Sequence, residues 1–288
     1  MSGLSTAALG LVYSIFGILG VVLNGLALAT FTYFQPQPGT KNIPHVNLLL
    51  ASFGVSLSCV LPGLASFSGS WGFNDIVCQI QGFYGMLTGM MVIYAVAMLA
   101  GERYVVFKGM CPSGVAYYLF TSLCWFAAGF WSCLPLMGCS RYTLQSSAND
   151  CILDWKEQSS IHWSYILAIS CFGFAVPLAA TFGALSKCHA AEDSKDEGWF
   201  TESQLIKISK WQCFFCLVQW LPFAVLVFIP LAIPTSVVEA SGLSQLSIFF
   251  AKGLSPGYPV LYVASSGRFR TAAASLVGLA SSNHVKDD

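Results

Sequence analysis

Charge is what this sequence has least of. Only 9% of its 288 residues are Asp, Glu, Lys or Arg, against about 25% in a typical soluble domain. Thirteen basic residues balance thirteen acidic ones, so there is no basic surplus of the kind that nucleic-acid binding requires. With 56% hydrophobic residues, the chain is also far from the polar, charge-rich composition of disordered proteins. An ordinary cytoplasmic enzyme is excluded on the same grounds. Other signals are missing too. His45, His162, His189 and His284 are scattered without metal-ligand spacing, so no metal site is expected. No phosphate loop or nucleophile elbow is present. There is no Asn-x-Ser/Thr sequon, so no N-glycan is expected. No segment repeats, and nothing marks a second domain within 1–288.

What remains is apolar sequence in long runs, with a mean hydropathy of +0.68. A helix crosses about 30 Å of hydrocarbon with roughly 20 apolar residues. The pattern predicts an all-α membrane protein with seven spans, near 8–34, 43–68, 77–108, 114–137, 160–187, 203–231 and 243–265. A short amphipathic helix is expected over 268–280. Gln35-Pro-Gln-Pro-Gly39 and Cys111-Pro-Ser-Gly114 break the chain between spans. Ala190 to Gly198 carries Glu192, Asp193, Lys195, Asp196 and Glu197 and is expected in water.

Lys and Arg content of the loops sets orientation. One side holds Lys41, Arg103, Lys108, Lys187, Lys195, Lys207, Lys210, Arg268, Arg270 and Lys286; the other holds Arg141 and Lys156. The rich side is expected in the cytoplasm and the N-terminus outside. The first span lacks a basic leader and a small-residue cleavage site, so it reads as a retained helix rather than a signal peptide.

Most of the eleven Cys residues lie in spans, where a thiol behaves as a small apolar group. Cys78 and Cys151 fall on the outer side, where a bridge is chemically plausible and two separate thiols are the alternative. Lys252 is the other exception. It stands well inside the last span, between Ile248-Phe-Phe-Ala251 and Gly253-Leu254. An ammonium at mid-bilayer costs several kcal/mol. A neutral amine there is a nucleophile toward aldehydes. A snorkelling or carboxylate-paired lysine is the bland alternative. Its depth opposes the first. The acids opposite the cytoplasm (Asp75, Asp150, Asp154, Glu157 and Glu239) are all expected at the water-facing edge, which opposes the second.

Phe249-Phe-Ala-Lys252, followed by Tyr258-Pro-Val-Leu-Tyr262 and Arg268-Phe-Arg270, resembles the seventh span of the opsins, the retinal-binding rhodopsin-like G protein-coupled receptors. Further matches cover the whole chain: Gly20 to Asn24, Glu102-Arg103-Tyr104, Trp125 and Pro135, Pro177, the loop from Gly138 to Cys151, and Trp220-Leu-Pro222-Phe223. The ensemble is most similar to the non-visual retinochrome, peropsin and neuropsin-like groups.

The resemblance implies a retinal Schiff base on Lys252, formed with 11-cis or all-trans retinaldehyde. It implies a Cys78–Cys151 disulfide. It also implies a pocket lined by Gly82, Phe83, Gly85, Met86, Phe174, Trp220 and Phe223; taken alone, each aromatic would read as helix-packing core. Opsins place the counterion either three residues after the third-span Cys or six before the loop Cys. Here those positions are Gln81 and Gln145, both neutral. Asp154 follows Cys151 closely and could be drawn inward, but the family uses that position to brace the loop, so the pocket is expected to lack a counterion. A neutral Schiff base absorbing in the ultraviolet or violet follows from that expectation.

Glu102, Arg103 and Tyr104 would form the cytoplasmic switch, with Arg103 pairing to Glu102 and to Glu202, twenty residues before Pro222. Tyr258, Pro259 and Tyr262 would complete it. Departures from the family are the absent second-span acid (Val55 or Ser56 lies there), Leu185 in place of a fifth-span Tyr, and Tyr258 in place of Asn. No Cys follows Phe269, so palmitoylation there is not expected.

The implied function is light sensing at the plasma membrane, with a heterotrimeric G protein as cytoplasmic partner. Two alternatives stay open: a retinochrome-like photoisomerase with little signalling, and a receptor for a diffusible ligand in which Lys252 is incidental.

Overall fold

The computed structural model describes residues 5–188 and 198–279. The acidic stretch before Gly198, His189, His284 and Lys286 lie outside the described residues. Helices come first because the backbone of a spanning segment must satisfy its own hydrogen bonds. Helix α1 runs Thr6–Phe34, and α2 and α3 cover Ile43–Leu57 and Val60–Phe67. Helix α4 covers Asp75–Phe107 and α5 Gly114–Cys133. A hairpin of β1 (Tyr142–Gln145) and β2 (Asp150–Leu153) follows. Next come α6 (Ser160–Ala168), a π-helical segment (Ile169–Ala175) and α7 (Val176–Leu185). Then α8 spans Glu202–Phe228, α9 Thr235–Ser241, α10 Leu243–Gly253, α11 Gly257–Ser265 and α12 Gly267–Leu276.

Among the described residues, six helical runs are long and apolar enough to cross a membrane. The seventh crossing of the bundle is α10 plus α11, divided at Leu254–Pro256. The second span, expected as one helix, is likewise divided at Ser58–Cys59.

Proline explains both breaks and a recurrent feature beside them. A helical Pro has no N–H for the carbonyl four residues earlier. Pro62 therefore frees the Ser58 carbonyl, which accepts from Gln81 Nε2 (2.7 Å) and Lys252 Nζ (2.9 Å). Pro256 frees the Lys252 carbonyl, which accepts from Ser255 Oγ (2.8 Å). Pro259 frees the Ser255 carbonyl, which accepts from Asn24 Nδ2 (3.2 Å). Four side chains thus take up three backbone acceptors that lipid could not satisfy.

Helix α4 runs through the centre of the bundle, and Met91, Val92, Ala95, Val96 and Leu99 on it are fully covered. Its start is set by Asn74, whose Oδ1 accepts from the Val77 amide at 3.0 Å. At one end of α4 lies the β-hairpin. At the other lies Arg103, beside the N-terminus of α8. That N-terminus carries a reciprocal capping box between Thr201 and Gln204, with Glu202 in its first turn. The two-stranded hairpin was not part of the all-α expectation. It pairs Tyr142 with Leu153 and Gln145 with Asp150.

Candidate functional site: a lysine chamber under a disulfide-pinned hairpin

The disulfide joins Cys78 on α4 to Cys151 on β2, with their Cα atoms 5.3 Å apart. It draws the hairpin down into the mouth of the bundle. Beneath it lie two adjoining cavities with about 540 and 520 Å³ of empty space, open solvent included. They share Met86, Leu153, Trp220 and Phe223 as common wall. Lys252, Gly82, Gly85 and Gln81 line the first; Phe174, Ile166 and Val227 line the second.

Of the residues expected around a retinal, the structure brings Gly82, Gly85, Met86, Phe174, Trp220 and Phe223 to this chamber. Phe83 lines neither cavity; it packs against the core. At about 100° per residue, Gln81, Gly82, Gly85 and Met86 share one broad face of α4, and Phe83 falls outside it. Val55, Tyr142, Ile152 and Ile248 line the chamber without having been singled out. Two glycines make room for rings: a Cβ at Gly82 would overlap Tyr142, and one at Gly89 would overlap Trp220. The Trp220 indole N–H is buried without a hydrogen-bond partner.

The largest departure from expectation is at Lys252. Its Nζ lies 2.7 Å from Asp150 Oδ2, and Asp150 is fully buried. The expectation that no carboxylate reaches this lysine is therefore wrong. Asp150 does not sit at the water-facing edge. Its Oδ1 accepts from Gln81 Nε2 at 3.1 Å. Nζ also lies over the Tyr13 ring, 5.6 Å from its centroid, and Tyr13 donates its hydroxyl to the Ala148 carbonyl at 2.9 Å.

The backbone explains the inward turn. Asn149 takes φ 48°, the left-handed region that Asn tolerates better than most residues, and it immediately precedes Asp150. A sequence signal for this placement existed. Cys78 and Gln81 are three apart on one helix and share a face. A bridge from Cys78 to Cys151 must then bring the neighbour of Cys151 near Gln81. Treating Asp150 as one more loop acid missed it.

Gln145 is buried but lines neither cavity. Its carbonyl accepts from Trp155 Nε1 (3.1 Å), and its amide donates to Ser147 Oγ (3.0 Å) and Ser244 Oγ (3.1 Å). It ties the hairpin to α10. Asp154 is held outward by Arg141, with Nε to Oδ2 at 2.8 Å, and accepts from the Lys156 amide. It braces the loop, as the resemblance implied.

At the opposite end, Arg103 is buried between two carboxylates, Glu102 at 2.9 Å and Glu202 at 2.6 Å. Tyr117 donates to Glu102 Oε1 at 2.6 Å. Tyr104 is half-buried, with Lys108 and Lys187 each 5.7 Å from its ring centroid. Tyr262 is fully buried; its hydroxyl accepts from Gln212 Nε2 and pairs with His45 Nδ1, each at 2.8 Å. Tyr258 donates to Gln219 Oε1 at 2.8 Å, and Gln219 Nε2 donates to the Ala251 carbonyl at 2.6 Å. Ser56 and Ser255 hydroxyls meet at 3.0 Å. Sequence reasoning noted the polar groups missing from the middle of the bundle but not these substitutes, His45, Gln212 and Gln219.

The bundle thus holds a buried lysine at an apolar chamber near one end and, at the far end, Arg103 on α4 paired with Glu202 on α8: the class is a seven-helix membrane bundle. The profile of the 7 transmembrane receptor (rhodopsin family) matches residues 23–253, and the chain belongs to that family. It is 25% identical over 226 residues to retinochrome of Todarodes pacificus, covering 74% of this chain and 75% of that protein. It is 24% identical to the visual pigment-like receptor peropsin of Mus musculus, covering 89% and 80%. It is 27% identical to rhodopsin of Sepia officinalis, covering 93% of this chain but 63% of that longer protein. The crystal structure of squid rhodopsin has the same fold, with a TM-score of 0.84 at 23% identity, over 100% of this chain and 94% of that one. The opsin resemblance read from the motifs is supported by these relatives.

Proposed function

We propose that this protein is a light-sensing receptor that holds retinal as a Schiff base on Lys252 and signals to a heterotrimeric G protein at the Arg103 end. The observation that carries the reading is the placement of Lys252: a buried primary amine opening into an apolar chamber. The chamber fits the group. It offers an amine at one end, aromatic and aliphatic walls, and few polar atoms beyond those around the amine. Retinal bound there supplies light absorption and a change of shape on illumination.

The chain's own residues do the rest. Trp220 and Phe223 on α8 stand in the wall of both cavities, so a change in the shape of the chamber's contents bears first on α8. Its cytoplasmic end carries Glu202, held to Arg103. The hairpin under Cys151 closes the chamber from water. The plasma membrane with the N-terminus outside is the location this reading carries, on the strength of the Lys and Arg asymmetry.

Glu202→Gln is expected to raise light-independent nucleotide exchange. The pair is partly exposed on the Glu202 side, so screening leaves it about 1 kcal/mol, or roughly a fivefold shift in a two-state equilibrium. Exchange assayed in the dark on a cognate G protein checks this; an unchanged basal rate would assign the pair to plain stability.

A second reading is favoured by one observation. The polar groups between chamber and switch differ from the usual receptor set: Tyr258, Gln219, His45 and Gln212 form direct contacts in their place. A photoisomerase with little signalling would tolerate that. Light-dependent nucleotide exchange, measured beside retinal extraction before and after illumination, separates the two. Exchange supports the receptor. Isomer turnover without exchange supports the isomerase. Absence of any borohydride-reducible adduct on Lys252 would end both and favour a diffusible ligand.

A further inference from the structure

We infer that Asp150 is the counterion of the Lys252 Schiff base, and that the pigment is therefore protonated and absorbs visible light. This rests on the retinal reading above and replaces the ultraviolet expectation, whose ground was an empty counterion site. The negative charge has not been lost; it has moved. Both usual positions are amides here, and both adjoin the relocated carboxylate. Gln81 donates to Asp150 Oδ1 at 3.1 Å. Gln145 is the cross-strand partner of Asp150 in the hairpin.

The geometry suits the role. Asp150 Oδ2 is ion-paired to Lys252 Nζ at 2.7 Å and accepts no other hydrogen bond, while Nζ, with three donors, also reaches the Ser58 carbonyl. One carboxylate oxygen is thus fixed by Gln81 and the other is left facing the nitrogen. A protonated imine keeps one N–H, and a carboxylate oxygen engaged by no other donor is the acceptor it needs. A buried cation without an anion is disfavoured, and an imine escapes that penalty by losing its proton. Beside Asp150 it has no reason to. Among the described residues, the other titratable groups near the pair are the Tyr13 hydroxyl and the Cys59 thiol. Neither is an anion that could substitute. Gln81 is a positioning residue: it holds the carboxylate without contributing charge.

Asp150→Asn, reconstituted with retinal, tests this. The expected result is loss of the visible band at neutral pH and its replacement by an ultraviolet band. Acid should recover the visible band, and the Lys252 adduct should survive, seen by mass spectrometry after borohydride reduction. The double variant Asp150→Asn, Gln81→Glu should regain visible absorption, because the Gln81 side chain already reaches the same Ser58 carbonyl as Lys252. Should Asp150→Asn fail to accumulate, Asp150→Glu carries the test. A carboxylate one methylene longer keeps a visible band but displaces its maximum, and a maximum unmoved from the parent's overturns the assignment. An unchanged visible band in Asp150→Asn, or an ultraviolet band in the unmutated protein, also overturns it. Failure of the retinal reading has a different signature: no reducible adduct in the unmutated protein, which ends both.

Discussion

Lys252→Arg is expected to abolish covalent retinal binding completely while leaving the protein folded. The guanidinium keeps a positive charge beside Asp150 but presents no nucleophilic amine. Lys252→Ala should abolish binding too, with an added loss of stability. Removing one partner of a buried pair leaves the other charge uncompensated, which typically costs about 3–5 kcal/mol. Asp150 is fully buried and Lys252 nearly so, so the upper part of that range applies to the Ala variant. The comparison separates chemistry from folding. If adduct formation is measured by borohydride trapping and stability by thermal denaturation in detergent, Arg should score zero on the first and near parent on the second. Ala should score low on both. Retention of a trapped adduct at another lysine in Lys252→Arg would refute the assignment of the attachment site.

How much of this was legible in the sequence depends on whether a residue's place is set by its own helix or by a contact between elements. Lys252 was legible because its depth in a span is a matter of counting. Glu202 was legible for a similar reason: its distance from Pro222 along one helix fixes which end it occupies, and Arg103 lies at that same end. The disulfide was legible through resemblance. The breaks at Ser58–Cys59 and Leu254–Pro256 were half legible. Pro62 and Pro256 mark them, but a hydropathy window averages across a break. Asp150 was not legible to a reading that sorted acids by loop, because its burial is produced by three things together: the bridge to α4, the left-handed Asn149, and the Gln81 amide awaiting a partner. Only the Asn149 turn is local; the other two join separate elements. Phe83 failed for the opposite reason. It was taken from a stretch of sequence, when only one face of α4 reaches the chamber.

The same distinction explains the polar middle of the bundle. The absent second-span acid, and Tyr258 in place of Asn, read as losses along the sequence. In space, Ser56 meets Ser255, Gln219 links Tyr258 to the backbone at Ala251, and Gln212 and His45 hold Tyr262. Each contact is direct and neutral. A neutral network held by direct contacts has less to gain from water or ions than one built around a carboxylate.

Cys151→Ser should be the most damaging change that leaves Lys252, Asp150 and Gln81 in place. The bridge closes a loop with a sequence separation of 73. The chain-entropy relation gives about 4.5 kcal/mol for a loop of that size. Spanning helices that persist in the unfolded membrane state already restrict the loop, which lowers the figure toward about 2–4 kcal/mol. The functional loss should exceed the stability loss. Without the bridge, nothing covalent holds β2 against α4, so Asp150 is free to leave Lys252 for water, and the hairpin no longer seals the chamber. The expected outcome is a lowered melting temperature, little pigment, and, in whatever pigment forms, a shift of the band toward the ultraviolet together with faster attack by hydroxylamine from solution. Cys78→Ser should match it, and the double variant should be no worse than either single one, because the two residues act as one unit. A double variant clearly worse than both would mean that the thiols contribute separately. A visible band as resistant to hydroxylamine as the parent's would mean that the hairpin keeps Asp150 in place by its contacts with Gln81, Trp155 and Ser244 alone.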